Sequence, residues 1–311
     1  MKFCGKEVVL YRTESGKPVL TEAYCPHMGA DLGKGGTIEG ENIRCPFHGF
    51  CFDPDGKCIS NEYGTKVPPQ AKLNSWPLRE QNGIIMAWHH AEGLAPDWEI
   101  PPLESEGWTD FRFQEYTLDS HPQEIAENSV DLGHFRAVHG YDDVKVFKDA
   151  YVDGPVLHGK YGMSRIANFI GKSGKKVNIE FEFEERGLGY AFVEAHVVEY
   201  GMRTQHFVLP CPTDGKEIKL RIAARIRKDV DPSKIHPLLG ILPRALLRQF
   251  IMGGVFKGYC KDVSDDFDIW STKAYVHPPA LAKGDGPIIL YRKWAKQFYT
   301  EKVADKIYEL A

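Results

Sequence analysis

Apolar residues in the first part of the chain come in short β-prone runs closed by tight-turn signals. Val8–Tyr11 ends at Glu14-Ser15-Gly16-Lys17-Pro18, and Val19–Tyr24 forms a second run. Turn signals recur at Gly35-Gly36, Glu39-Gly40-Glu41-Asn42 and Asp53-Pro54-Asp55-Gly56. Further strands around Leu73–Leu78 and Gly83–Trp88 would complete a small barrel or sandwich. Residues 93–108 are rich in Pro and acids and lack periodicity, which predicts a linker with a boundary near residue 97.

The pattern then changes. Arg112–Leu118 reads as a strand, and Gln123–Val138 as a helix whose apolar positions fit one face imperfectly. Ile179–Phe183, Gly189–Val198, Thr204–Leu209 and Ile218–Ile226 predict an antiparallel sheet. Residues 233–270 read as helical, with an apolar stripe at Leu238, Leu239, Ile241, Leu242, Leu246 and Leu247; Trp294–Leu310 reads as a last helix. The expectation is an α+β chain of two domains, 1–97 all-β and 98–311 mixed.

Composition narrows the partners. The chain has 311 residues and a net charge of −4, with a pI near 6.3, which does not suggest a nucleic-acid surface. The basic run Arg221, Arg225, Arg227 and Lys228 reads as a solvated strand face. No stretch approaches a membrane span, and the N-terminus lacks the features of a signal peptide. Seven cysteines, an odd number, argue against a disulfide scaffold, so the protein reads as cytoplasmic with thiols reduced or bound to metal.

The chemistry concentrates in two stretches. In Tyr24–Cys58, Cys25-Pro26-His27 and Cys45-Pro46-Phe47-His48 each bring one thiolate and one imidazole together among glycine-rich turns. Two Cys and two His can hold zinc. Zinc fingers, however, pair like ligands in sequence, whereas mixed pairs suit a two-iron cluster in which one iron takes both thiolates and the other both imidazoles. Cys51 and Cys58, just beyond, read as small buried hydrophobes. In Glu127–Gly140, Asn128, Asp131, His134 and His139 sit on the expected helix. His134 and His139 are five apart, so a regular helix would not align them, but a break near Gly140 could swing His139 back. Two imidazoles and a distant carboxylate make the facial triad of non-heme iron(II) sites. Candidates for that carboxylate in the C-terminal part are Asp262, Asp265, Asp266 and Asp268.

The string CPHMGADL…GG…IRCPFHGFCFDPDGKC resembles the Rieske signature, and the whole chain resembles the Rieske non-heme iron oxygenases. Asp131, His134 and His139 match the family's carboxylate–His–His motif, and Asp266-Phe267-Asp268-Ile269-Trp270 matches a D-x-x-I-W string of its steroid-hydroxylase members. Gly83–Trp98, Asp285-Gly286-Pro287-Ile288 and Tyr291–Tyr299 are similar to the 3-ketosteroid 9α-hydroxylase and cholesterol 7-desaturase branch. The family's first strand is expected to be missing before Met1. The resemblance implies a small all-β Rieske domain and a helix-grip (START-like) catalytic domain. It implies a [2Fe–2S] cluster on Cys25, His27, Cys45 and His48, and a mononuclear Fe(II) on His134, His139 and Asp266, with Asp262 the alternative to Asp266. Asp131, with Asn128 nearby, would be catalytic and link the two metal sites across subunits of a homotrimer. The implied reaction is hydroxylation, desaturation or dealkylation of a hydrophobic, steroid-like or aromatic molecule with O2, using electrons from NAD(P)H through a separate reductase or ferredoxin. A Rieske electron carrier or redox sensor with a non-catalytic ligand-binding domain is the competing expectation.

Overall fold

The computed structural model of the chain describes residues 1–167, 174–231 and 244–300. It divides into two compact units, Met1–Leu103 with Thr213–Gly215, and Glu104–Pro212 with Lys216–Ala311. The first unit extends beyond the boundary expected near residue 97. Arg79 grips Glu99 through Nε and Nη2 (2.9 and 2.6 Å), and Asn82 bonds Pro101 O and the Leu103 N–H (3.1 and 2.8 Å).

The first unit is built from short antiparallel strands, as the turn signals require. One sheet has the order β1 (Lys2–Phe3), β2 (Lys6–Arg12), β3 (Pro18–Glu22), β8 (Ser75–Trp76). A second runs β4 (Thr37–Glu39), β5 (Asn42–Arg44), β6 (Cys51–Phe52), β7 (Cys58–Ser60), and β9 (Leu78–Gln81) pairs with β10 (Ile84–Ala87). The core between the two Cys–His loops holds Leu32, Ile43, Phe50, Phe52 and Leu73, together with Cys25, Cys45 and Cys58. Cys51 and Cys58 are buried, as expected of small apolar side chains.

The second unit is organised by one antiparallel sheet, ordered β11 (Arg112–Asp119), β17 (Glu217–Ile226), β16 (Met202–Pro212), β15 (Ala191–Val197), β14 (Lys175–Arg186), β13 (Val156–Ala167), β12 (Asp142–Asp153). The sequence pattern missed β12 and β13. The edge strand β12 is exposed along most of its length and carries charges at alternating and adjacent positions, so no apolar period marks it. Arg225 also departs from expectation. Rather than facing solvent, it is buried, donating to Gln205 Oε1 (2.7 Å) and Glu104 O (2.6 Å) beside the Trp108 and Phe111 rings.

The helix expected over 123–138 is two helices, α1 (Pro122–Glu127) and α2 (Leu132–Ala137). The C-terminal helical region resolves into α3 (Arg244–Ser264) and α4 (Phe267–Thr272), parted at Asp265-Asp266. The apolar stripe expected at 238–246 lies outside the described residues, apart from the backbone of α3; Leu247 is buried. The last helix begins earlier than expected, as α5 (Ile288–Ala295), and its expected end at Leu310 lies outside the described residues. Among the described residues no helix is long and apolar enough to cross a membrane.

Alternate residues of each strand point to one face. On that face β14 presents Val177, Ile179 and Phe181, β15 presents Val193 and Ala195, and β16 presents Thr204, His206 and Val208. Helix α3 contributes Val255, Gly258, Tyr259, Asp262 and Val263, a single helical face. These walls enclose a cavity of about 570 Å³. Glu185 lies further along the inward face of β14, fully buried, and its Oε1 accepts from Ser129 Oγ. Burial pushes this carboxyl up from 4.5 to about 8. Between those values the folded chain keeps a proton that the unfolded chain has released. Glu185 therefore costs stability as pH rises, by up to about 1.4 kcal/mol per pH unit. Glu185→Gln removes that slope, so its advantage over the natural chain in thermal or denaturant unfolding should widen from pH 5 to 8. A gap that does not change with pH would contradict this assignment.

Candidate metal centres

The first centre is built from two tight loops. Cys25 N–H bonds Ala30 O and Gly29 N–H bonds Cys25 O (both 2.8 Å), and the second loop repeats the arrangement with Cys45 N–H to Phe50 O (2.8 Å) and Gly49 N–H to Cys45 O (3.2 Å). Gly49 has φ +62°, and a Cβ there would come 2.7 Å from both Arg44 Nη2 and Glu62 Oε2, so only glycine closes this turn without displacing that ion pair. The loops bury both thiols and bring His27 and His48 to a ring separation of 4.7 Å, with Phe50 stacked on His27 at 4.3 Å.

Burial, with Cys45 beside it, pushes the Cys25 thiol well above its ordinary range, an arrangement that a bound cation would reverse. His48 Nδ1 is buried with no hydrogen-bond partner. Among the described residues, one trio of Cys, His, Asp or Glu has ligand atoms within 4.8 Å of one another, and it includes none of these four. Four ligands of a single zinc ion would all converge. A thiol pair and an imidazole pair instead fit a larger two-iron group.

That trio is the second centre: His134, His139 and Asp266. Its geometry starts from the break between α1 and α2. The 282–287 loop packs into the break, with Leu132 N–H bonding Asp285 O (3.0 Å). Gly286 is essential there: its φ is +90°, and a Cβ would sit 2.1 Å from Val130 O. With α1 ended, Asp131 becomes the N-cap of α2, and its Oδ1 accepts from the His134 N–H (3.1 Å). The main-chain oxygen of Asp131 lies 2.5 Å from His134 Nδ1. A proton on Nδ1 then fixes the tautomer and leaves Nε2 as the free lone pair. Burial also holds the His134 imidazole below the ordinary histidine range, which favours its neutral, ligating form. Past α2, Gly140 takes φ +65°, and the chain turns so that the His134 and His139 rings come within 5.1 Å.

Asp266 enters from the opposite side, at the break between α3 and α4. It occupies the N-cap position of α4 yet makes no side-chain cap bond. Its Oδ2 instead lies 3.3 Å from His139 Nε2, with both side chains more than nine-tenths buried. A buried carboxylate with so little compensation is costly unless a cation shares the site. The other acids are engaged elsewhere: Asp262 binds Arg165 Nη1 (2.6 Å) and accepts from Tyr141 (3.4 Å), Asp265 pairs with Lys261 (2.8 Å), and Asp268 lies in the exposed first turn of α4. Asn128 lies at the C-terminus of α1 on the cavity wall, outside the trio. All three trio residues also line the cavity, so an ion held there would face it. Sequence reasoning missed Gly286 as the residue that keeps the break open; its signal was the Asp285-Gly286-Pro287 string.

The Rieske [2Fe-2S] domain model matches residues 1–77, and the 3-ketosteroid 9alpha-hydroxylase C-terminal domain model matches residues 87–299. Cholesterol 7-desaturase of Caenorhabditis elegans is 31% identical over 328 residues, spanning 96% of this chain and 72% of that protein. The oxygenase component of a Rhodococcus rhodochrous 3-ketosteroid-9-alpha-monooxygenase is 29% identical, over 97% of this chain and 78% of its own. The chain spans only 66% and 64% of the cholesterol 7-desaturases of Xenopus laevis and Ciona intestinalis. In solved structures the fold is shared with dicamba monooxygenase bound to 3,6-dichlorosalicylic acid (TM-score 0.68, 18% identity, 99% of this chain and 93% of that one). It is shared also with Pseudomonas putida CBB5 NdmA (TM-score 0.67, 18% identity, 95% and 82%).

Asp266→Ala should weaken Co(II) or Fe(II) binding at the second centre by more than about 100-fold, as expected for loss of a direct ligand. Asp262→Asn, whose native carboxylate bonds Arg165 and Tyr141, should change it by less than about tenfold. Titration followed by visible absorbance separates the two, and the reverse order would exchange their roles.

Proposed function

Because the chain belongs to the Rieske oxygenases of the 3-ketosteroid 9α-hydroxylase type, we propose that it is the oxygenase component of a steroid-oxidising system, hydroxylating or desaturating a rigid apolar molecule with dioxygen. Dealkylation is a further outcome of the same chemistry. The observation that carries the reading is the convergence of two imidazoles and one carboxylate on the wall of an apolar cavity, in a chain that also holds two Cys–His loops. In this reading the loops hold a Rieske cluster through Cys25, His27, Cys45 and His48, and His134, His139 and Asp266 hold a mononuclear iron. Such a cluster would supply single electrons, and an iron held by the trio would supply the dioxygen chemistry.

The protein's own part is positioning and exclusion. Asp131 holds His134 through its main-chain oxygen and caps α2 with its carboxylate, so the ligand and its helix are oriented by one residue. Asn128, at the C-terminus of α1, lies on the cavity wall. Phe181, Val193, Ala195 and Val208 keep that wall apolar, and a volume of about 570 Å³ falls in the range of small-molecule pockets. Electrons come from a separate NAD(P)H-dependent reductase, directly or through a ferredoxin, a reading supported by the relatives named as oxygenase components. The reading also includes a homotrimeric, cytoplasmic assembly, which analytical ultracentrifugation of the holoprotein and fractionation of the native cells test.

Iron content is the direct test. The holoprotein should carry three irons per chain; two, without substrate-dependent oxygen uptake, would leave an electron carrier. His134→Ala should keep the cluster absorbance, fall to two irons and lose turnover. Asp131→Asn is more discriminating. Asparagine also caps helices well, and the main-chain bond to His134 does not depend on the side chain. This variant should therefore retain three irons while turnover falls by at least about 100-fold. Loss of iron from Asp131→Asn would make the carboxylate a ligand and overturn its assignment.

A further inference from the structure

Away from the metal trio the cavity wall carries a polar pair. Thr204 and His206 are two residues apart on β16 and both line the cavity, with Thr204 Oγ1 2.7 Å from His206 Nε2. Among the described residues, Val193 on β15 and Ala224 on β17 oppose His206, and the Tyr259 ring lies 4.4 Å away with its hydroxyl donating to Phe207 O (3.1 Å). His206 Nδ1 is buried without a partner. Burial lowers the imidazole to about 4, so at neutral pH it is uncharged and carries one proton.

A neutral imidazole joined to a hydroxyl can be arranged in two ways. If His206 donates to Thr204 Oγ1, the threonine proton is free to donate to a carbonyl. If Thr204 donates to His206, its oxygen can accept from a hydroxyl. Among the described residues, the other hydrogen-bond partner of Thr204 Oγ1 is Ala195 O at 3.5 Å, the limit of a hydrogen bond. Tyr259, packed on His206, precedes Asp266 by seven residues along α3 and its following turn, roughly 10 Å at the helical rise.

We propose that Thr204 and His206 form the polar anchor of the substrate, taking the single hydroxyl or carbonyl oxygen of a rigid apolar molecule whose oxidised carbon lies at the His134–His139–Asp266 end of the cavity. The inference rests on the steroid reading above and adds what sets the substrate's direction in the cavity. The pair accepts either oxygen function by exchanging proton positions, with no change in charge.

The test is equilibrium binding to the iron-loaded protein, followed by intrinsic fluorescence, with three probes: cholesterol, cholest-4-en-3-one and the hydrocarbon cholest-5-ene. The natural chain should bind the two oxygenated probes about tenfold more tightly than the hydrocarbon, the worth of one buried hydrogen bond. Thr204→Val and His206→Phe should bring that ratio close to one while hydrocarbon binding and the content of three irons persist, and Thr204→Ser should restore it. Thr204→Val is near-isosteric, so it reports even where His206→Phe does not fold. Equal binding of all three probes by the natural chain, or an unchanged ratio in Thr204→Val, overturns the anchor and leaves the steroid reading standing. Failure of all three probes to bind the natural chain overturns both.

Discussion

A buried carboxylate brought against a pair of partly buried histidines is the constraint that much of the second unit serves. Asp266 stands at a helix start where an acid would ordinarily cap the backbone, and its side chain makes no cap bond. Its Oδ2 instead points to His139. Such a group is unfavourable in an apolar interior unless a cation compensates it. Surrounding acids are neutralised by their own partners, Asp262 by Arg165 and Asp265 by Lys261. The cost is thus confined to one carboxylate, at the point where the cavity needs a ligand.

Two helix breaks create that arrangement. An unbroken helix over 123–138 would have left Asp131 in a helix interior, unable to cap the turn that carries His134. The 282–287 loop, seated against Val130 and Leu132, ends α1 and makes Asp131 a cap. One residue then orients a ligand histidine through its main chain and starts a helix through its side chain. The break between α3 and α4 does the equivalent for Asp266. In the first unit, glycines do the same work: a left-handed turn at Gly49 lets the second Cys–His loop close beneath an ion pair that any Cβ would displace.

Sheet and helix then divide the labour of recognition. The alternation of β14, β15 and β16 supplies a continuous apolar wall, and α3 closes it with a single face. Polar groups on that wall fall into distinct sets. The Arg165–Tyr141–Asp262 network satisfies itself, the His134–His139–Asp266 trio offers its ligand atoms to one point, and Thr204 with His206 remains uncharged and adaptable.

Much of this was legible in the residues alone. The mixed Cys–His pairs, the turn glycines and the spacing of Asp131, His134 and His139 are local signals, because tight loops and helix caps are determined by a few consecutive residues. The short strands of the first unit and five of the seven strands of the second were visible for the same reason: each carries its own run or alternation. The edge strand β12 was not, since a strand exposed on its outer side needs no apolar period. The D-x-x-I-W string favoured Asp266 over Asp262, but the physical reason is not local: Arg165 engages Asp262 from a strand 97 residues earlier in the chain. The break at 128–131 likewise depends on Gly286, more than 150 residues away in sequence. The sequence by itself determined which chemical groups the protein brings to its centres. Only the tertiary structure decided which acid is left unpaired, which helix is interrupted and which polar pair faces the cavity, because each is settled by contacts between segments with no local signal for one another.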